Sequence, residues 1–438
     1  MIKRLLYLFL AALIVFGLLQ CIRPAIPAPP VVAEVHAPDD ARHVLQTSCY
    51  SCHSNERRLA WFDEVVPAYW LVRKDILDAR SHLNFSTLGE KPAGVQRAEL
   101  FEAVNMVQFG AMPLPSFLAL HPDARVNAAD LEKLKDYLAP WGDTPPVQVD
   151  PAGFSAPDQT GPEYNGLAFD PSWKSWHLLS VTDRGDNDTF RFILGNDIAA
   201  QAAHDGHTHP WPDGARFAKV AWQQRSTPDG LVAPGQFIQI ELMVKDAKQY
   251  KDTEGWGFGR WRGPTLKPYG SDASFAGECT GCHAPMNKHD FVYTMPISAA
   301  HADPVDALNN EAASYASPSL DPAAAHALTL FVDRKAGTMS VLYGNAAAAS
   351  RPQGSRSYPA GTELLLITWK QIADPHWFGA RIPGTPLYVE SLQVGADPAS
   401  TKYRRLEDGG RREVQLEAPQ AGARTEFIER LAQAPALR

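Results

Sequence analysis

Thr189-Phe-Arg-Phe-Ile-Leu-Gly-Asn196 recurs about 149 residues later as Thr338-Met-Ser-Val-Leu-Tyr-Gly-Asn345. Working outward, Asp183-Arg184 lines up with Asp333-Arg334 and Trp211-Pro-Asp-Gly214 with Tyr358-Pro-Ala-Gly361. Trp222 lines up with Trp369 and Glu241 with Glu390. Short matches in one order at nearly one offset point to a duplicated unit. Ile238, Ile240, Leu242 and Val244 alternate with Gln239, Glu241, Met243 and Lys245, the period of a strand with one buried face. Both copies therefore read as sheets.

The chain ahead of them reads differently. Tyr69, Val72, Ile76, Ala79 and Leu83 recur at helical spacing, and Asn127 caps a segment whose Leu131, Leu134 and Leu138 form one stripe before Pro140. Lys3 and Arg4 precede an apolar run over residues 5–21, close to the lower limit of about 17 residues for a bilayer span. Residues 1–23 read as a signal anchor, with a cleaved signal peptide (Ala25-Ile26-Pro27-Ala28 offering a late cut) as the other reading. The positive-inside rule sends the rest across the inner membrane into the periplasm. Residues 24–40, rich in Pro and Ala, read as a stiff spacer. The expected order is then a helical domain at 41–142, a linker at 143–160, a sheet domain at 161–300, a linker at 301–322, the repeat at 323–410 and a tail at 411–438.

With 438 residues, 45% apolar and 21% charged, the chain can bury large cores. A formal charge of −8 and the lack of a basic block argue against nucleic acid as a partner. Five cysteines are too few for a disulfide scaffold, yet four fall in Cys49-Tyr-Ser-Cys52-His53 and Cys279-Thr-Gly-Cys282-His283. Both read CxxCH, in which two thiols form thioethers to haem and the histidine ligates iron. Chance yields such a match on the order of 10⁻³ times in a chain of this composition. Zinc would need the two cysteine pairs in one site, whereas they lie in domains of different apparent class. The expected cofactors are two covalently attached haem c groups.

The first motif's surroundings resemble a haem-binding domain family of exported cytochromes. The resemblance covers about residues 41–142. It rests on Leu45-Gln-Thr-Ser-Cys-Tyr-Ser-Cys-His-Ser-Asn55, Pro67-Ala-Tyr-Trp-Leu71, Leu83-Asn-Phe-Ser86 and Gly110-Ala-Met-Pro113, and on the anchor exit Gln20-Cys-Ile-Arg-Pro24. It implies an all-α, cytochrome c-like domain with Met112 as the axial ligand opposite His53. Met106 is the reserve, and His82 or His121 would make a bis-histidine haem. A thioether paired with imidazole raises the potential and closes the iron to outside ligands.

The second motif's surroundings, about residues 165–298, resemble cytochrome P-460 and cytochrome c-prime-beta. The residues carrying this are Arg191-Phe-Ile-Leu-Gly-Asn196, Trp211-Pro-Asp-Gly-Ala-Arg-Phe-Ala-Lys219, Glu241-Leu-Met-Val-Lys-Asp246, Gly255-Trp-Gly-Phe-Gly-Arg-Trp261 and Cys279-Thr-Gly-Cys-His-Ala-Pro285. The resemblance implies a large antiparallel sheet carrying a haem held by His283 and open on its other side. In the P-460 branch a lysine, here Lys219, is also bonded to the haem edge and hydroxylamine is oxidised; in the other branch the haem binds nitric oxide or carbon monoxide. The fold class is thus α+β, an all-α domain followed by two antiparallel-sheet domains.

Several residues carry more than one reading. Glu241 either relays protons from a bound nitrogen substrate or is an ion-paired strand carboxylate. Lys219 either reaches the haem or is an exposed strand lysine, and Lys245 reads as structural. Gly255, Gly257 and Gly259 let a backbone approach a flat cofactor or a neighbouring strand. His204, His207 and His209 read as a polar loop, Trp173 and Trp176 as core, and His376 with Trp377 as a solvated loop. The repeat has Leu366 at the Lys219 position and lacks CxxCH, so it is expected to be haem-free and to pack against its neighbour.

The leading functional expectation is oxidation of a small nitrogen compound, hydroxylamine first, with electrons passing through the His53/Met112 haem to a respiratory partner. A nitric oxide-binding protein and a plain electron shuttle, with Met243 or Met286 closing the second haem, are the alternatives. A homodimer is a further expectation from the resemblance.

Overall fold

The structure, a computed structural model, describes residues 2–143, 146, 160–298, 307–317, 320–351 and 358–431. The chain divides into two compact units, Met1–Trp141 and Gly142–Arg438.

The first unit is helical: α1 (Ile2–Leu19), α2 (Asp39–Ser48), α3 (Tyr50–His53), α4 (Ala68–His82), α5 (Ala93–Gln108), α6 (Pro115–Leu118) and α7 (Ala128–Leu138). Asn127 caps α7, its side chain accepting from Asp130 N at 3.0 Å, which satisfies one of the donors a helix start leaves open. Leu134 and Leu138 face inward from it, as do Tyr69 and Ile76 from α4. Helix α1 has a mean hydropathy of 2.2 and no buried residue.

The segment after α1 is not a free spacer. Its carbonyls lack helical partners and are taken up by α4 and by the first CxxCH loop. Trp70 Nε1 donates to Ile22 O (2.7 Å), Tyr69 Oη to Pro24 O (2.6 Å), Arg73 Nε to Ala25 O (3.1 Å), Arg80 to Pro27 O and Asn55 Nδ2 to Pro30 O (3.1 Å). Gln20 closes the exit of α1 by accepting from Val66 N and donating to Val66 O. The segment is a strap across the first unit.

The second unit holds the duplication. The first copy contains β1 (His177–Arg184), β2 (Thr189–Gly195), α8 (Asp197–Asp205), β3 (Arg216–Ser226), β4 (Val232–Lys245), β5 (Trp256–Arg262), β6 (Lys267–Pro268) and α9 (Phe275–His283). The second contains β7 (His326–Asp333), β8 (Thr338–Gly344), α10 (Ala346–Ala349), β9 (Glu363–Ala373), β10 (Ala380–Gln393), β11 (Lys402–Glu407), β12 (Arg412–Val414) and α11 (Ala418–Leu431).

The matched motifs explain one another. Asn196 caps α8 through Ala199 N and donates to Gly214 O, while Asn345 caps α10 through Ala348 N and donates to Gly361 O. A Cβ on Gly195 would sit 2.6 Å from Leu179 and one on Gly344 2.8 Å from Leu328, so glycine lets each capped helix close on its sheet. The Asp-Arg match is one residue out of step: Arg184 lies opposite Thr189 and Asp333 opposite Thr338, so these two are the equivalents.

The two copies are not separate domains. Antiparallel strands run β1-β2-β3-β4-β7-β8-β9-β10, and β10 returns to β1, closing an eight-stranded ring. The closing pairs are Val232↔Val332 and Asp183↔Arg381. Asp183 and Val332 are equivalent positions, as are Val232 and Arg381, so the ring has a pseudo-twofold. Each copy alone would expose two strand edges, and each edge finds the other copy's. The inner face carries Phe190, Phe192, Val220, Trp222, Val341, Ile367 and Trp369 as one core.

Two expected segments and one strand face differ from the sequence expectation. Much of 143–160 and 301–322 lies outside the described residues, but 307–317 is packed rather than a linker. Ala312 is fully buried and its carbonyl accepts from Trp369 Nε1 (2.8 Å), and Asn309 Nδ2 donates to Pro383 O (2.7 Å). Residues 411–431, expected as a tail, form β12 and α11, with Ile428 buried in the second copy's outer core. Strand β4 is covered on both faces, since Met243 and Lys245 are buried as well as Ile240 and Leu242.

A fragment covering 160–298 leaves the β1 and β4 edges open. It is expected to sediment above its monomer mass or to precipitate, and a soluble folded monomer would show that ring closure is dispensable.

Candidate functional site

In the first unit the CxxCH residues straddle the α2–α3 junction. Cys49 ends α2, and His53 ends the single turn of α3. His53 Nδ1 donates to Leu83 O (3.0 Å), which fixes the tautomer and leaves Nε2 as the ligating nitrogen. Burial lowers the His53 pKa and pushes the thiols of Cys49 and Cys52 up to about 12 and about 11. Beside Cys49 lies an apolar pocket walled by Leu45, Phe85, Leu100, Val104 and Leu134.

Met112 is half-buried in the loop between α5 and α6, its N–H bonded to Met106 O. His121 has both ring nitrogens engaged, by Asp63 (3.0 Å) and by Phe117 O (3.2 Å), which argues against it as a ligand.

In the second unit α9 carries Cys279, Cys282 and His283. His283 Nδ1 donates to Phe291 O (2.6 Å), and its ring is flanked by Phe258 and Tyr293, each with a centroid 5.3 Å away. Burial lowers its pKa to about 4, so the imidazole is neutral and Nε2 suits iron. Tyr293 Oη donates to Cys282 O (2.6 Å). Asp290 ties this segment to the sheet through Lys245 Nζ (2.8 Å) and Trp211 N (2.8 Å), which gives Lys245 the structural part expected of it.

The outer sheet face supplies a row of cross-strand neighbours: Ile193 on β2, Lys219 on β3, Glu241 on β4 and Arg260 on β5. Lys219 is ion-paired with Glu241, and Arg260 Nε donates to the other oxygen of Glu241 at 2.7 Å. Lys219 is thus no exposed strand lysine, although 29% of its side chain keeps contact with solvent. Burial, then the guanidiniums of Arg191 and Arg260, press its pKa well below the ordinary value. Arg191, two residues before Ile193 on the same face, is a site residue the sequence reading quoted but did not single out. Its period-two relation to Ile193, opposite Lys219, is the signal that places it here. Arg191 and Arg260 share this face with Lys219 and Glu241, and their guanidiniums suit a negatively charged group.

These residues fit a haem. There is a neutral buried imidazole with one nitrogen to give, two cysteines on the same helix, an aromatic flank and an excess of cations for the haem carboxylates.

The glycines of β5 serve another purpose than approach to a cofactor. A Cβ on Gly259 would lie 2.7 Å from the Trp261 ring and 2.9 Å from Leu167, and one on Gly257 would strike Tyr250. They make room for the protein's own side chains. His204 pairs with Asp205, and His209 packs against His289 (5.5 Å between centroids). His376, expected in solvent, donates from Nδ1 to Tyr293 O at 2.7 Å.

The second copy keeps part of this row. Glu390 lies opposite Leu366 and Arg405, as Glu241 lies opposite Lys219 and Arg260. Ser340 stands at the Arg191 position. Helix α11 covers this face with Phe427 and Ile428, and Arg424 pairs with Glu390 in a bidentate contact (2.8 and 2.6 Å).

Residues 13–140 match the family model of a haem-binding domain, and residues 171–294 match that of cytochrome P460. No curated protein matches the chain. The chain is therefore a haem protein. More narrowly, it carries a haem-binding domain ahead of a domain of the cytochrome P460 kind, with a second sheet copy outside both matched ranges.

Arg424→Ala would leave the fully buried Glu390 short of its bidentate partner, at a cost of about 3 kcal/mol in denaturant unfolding of the second unit. The absorption spectrum is expected to stay unchanged, because Glu390 faces α11 and not α9.

Proposed function

We propose that the protein is a membrane-anchored periplasmic dihaem c-type cytochrome whose P460 domain binds and oxidises a small nitrogen compound, hydroxylamine first. The observation that carries this is the Lys219–Glu241–Arg260 row beside His283. Cys279 and Cys282 would hold the second haem covalently with His283 on its iron, and Cys49, Cys52, His53 and Met112 would hold the first. When bound, the second haem supplies an iron that accepts electrons from a nitrogen ligand.

The chain's own residues do the rest. Glu241 takes a proton from the N–H or O–H of the substrate, and Arg260 holds its carboxylate in place. Lys219, with its basicity depressed, has an amine nitrogen that would bond the haem edge as one N–H and one haem C–H break, the two protons and two electrons leaving to an oxidant such as a peroxide. His53 and Met112 would hold a closed haem whose chemistry is electron transfer to a respiratory partner.

The anchor reading draws on two observations. Helix α1 is apolar from Leu5 to Leu19 and buries no residue, and the strap after it is bonded into the haem-binding domain, so a cut near Ala28 would remove contacts the domain uses.

The pairing of Lys219 with Glu241 favours one other reading, in which the amine stays unbonded to haem and the site binds nitric oxide without turnover. The dithionite-reduced absorption spectrum of the full chain decides between them. A strongly red-shifted Soret band that reverts in Lys219→Ala, together with reduction of an artificial oxidant by hydroxylamine that falls at least tenfold in Glu241→Gln, is the expected result. An ordinary five-coordinate c-type spectrum that Lys219→Ala leaves unchanged would support nitric oxide binding. A spectrum that carbon monoxide does not alter would overturn the open haem itself.

Haem staining after denaturing electrophoresis checks attachment. Cys49→Ser with Cys52→Ser, and Cys279→Ser with Cys282→Ser, are each expected to remove about half of the stain. No change in either pair would contradict covalent attachment at that motif.

A further inference from the structure

The loop between β9 and β10, residues 374–379, belongs to the copy without a CxxCH motif, yet it is built against the haem-binding segment of the other copy. Asp374 holds it from within, accepting from His376 N (2.8 Å) and donating its own N–H to Ala380 O (2.9 Å). His376 Nδ1 donates to Tyr293 O at 2.7 Å, so that nitrogen carries the proton. The Trp377 ring lies 5.7 Å from the Tyr293 ring at 71°. Trp377 is itself fixed, with Arg184 stacked on it at 4.3 Å and its Nε1 donating to Asp186 Oδ2 (3.2 Å). Arg184 and Asp186 are ion-paired and buried.

Tyr293 is therefore gripped at three points. Its carbonyl meets His376, its ring meets Trp377 and His283, and its hydroxyl reaches Cys282 O. A side chain held this way constrains the orientation of the imidazole beside it.

The pseudo-twofold gives independent support. The equivalent turn of the first copy reaches the equivalent place in the second, where Asp229 pairs with Arg430 of α11 (2.8 Å). At both sites, a loop from one copy touches the cover over the other copy's sheet face.

We propose that His376 and Trp377 are positioning residues for the haem of the P460 domain: through Tyr293 they fix the ring of His283 and so set the strength of its bond to iron. The proposal rests on the reading of His283 as a haem ligand. It gives the haem-free copy a part in the haem site beyond closing the ring. Surroundings of an axial ligand are one of the levers by which a protein tunes haem iron.

The test uses the full chain with both haems attached, and the His53 centre, common to all variants, serves as the internal reference. Resonance Raman of the ferrous protein and a redox titration of the second haem are compared among wild type, His376→Ala, His376→Asn, Trp377→Ala and Trp377→Phe. In the two alanine variants the iron–histidine stretch is expected to broaden and move to lower frequency, the midpoint potential to shift, and the carbon monoxide dissociation constant to change by about threefold or more. His376→Asn can place an amide N–H near the lost Nδ1–H, and Trp377→Phe keeps an aromatic face for Tyr293 and Arg184, so both are expected to stay near wild type.

If His376→Ala matches both wild type and His376→Asn in band and midpoint, the proposal is overturned, whatever Trp377→Ala does to folding. Failure of the underlying reading shows elsewhere, in unmutated protein whose ferrous second haem has no iron–histidine band.

Discussion

An unpaired strand edge is a row of donors and acceptors that must find partners, and the second unit is organised around that requirement. Its two sheet copies each end in such edges. The pairs Val232↔Val332 and Asp183↔Arg381 satisfy them by closing one ring. Ring closure puts Trp222 and Trp369 in a single interior, so the cores of the two copies are one core. It also leaves two outer faces, related by the pseudo-twofold, for covers of different kinds: α9 with its cysteines and histidine on one, α11 with Phe427 and Ile428 on the other.

The chemistry follows from what those covers keep dry. On the α9 side burial makes His283 a neutral base and depresses Lys219, while Arg260 keeps Glu241 in place. On the α11 side the same strand positions hold Leu366 and Glu390, and the carboxylate is matched by Arg424. The conserved geometry of the two rows, with different occupants, separates what the ring needs from what the haem site needs.

Local and periodic features were legible in the sequence. The Asn127 cap, the paired Leu-Gly-Asn motifs and the strand period of β4 are written within a few residues of where they act. The CxxCH spacing likewise put Cys279, Cys282 and His283 on one helix. Features that depend on distant partners were not. Nothing in Ala312 says that it lies under Trp369, nothing in Pro24 says that Tyr69 will bond its carbonyl, and His376 reads as a solvated loop until Tyr293 is placed against it. Arg191 was quoted for its motif and missed for its position, because its neighbours on the face come from three other strands. The offset between Asp183-Arg184 and Asp333-Arg334 misled by one residue because identity of letters outweighed register.

Joining two sheet copies in one polypeptide also changes what can be inherited. When two identical subunits make such a ring, every substitution appears at both faces, so a residue harmful at one cannot be kept at the other. Here the faces are coded separately. Leu366 can replace a lysine, and a C-terminal helix can settle where no cysteine motif remains, without any change at Lys219. The second unit is in this sense a symmetric frame carrying two independently written surfaces.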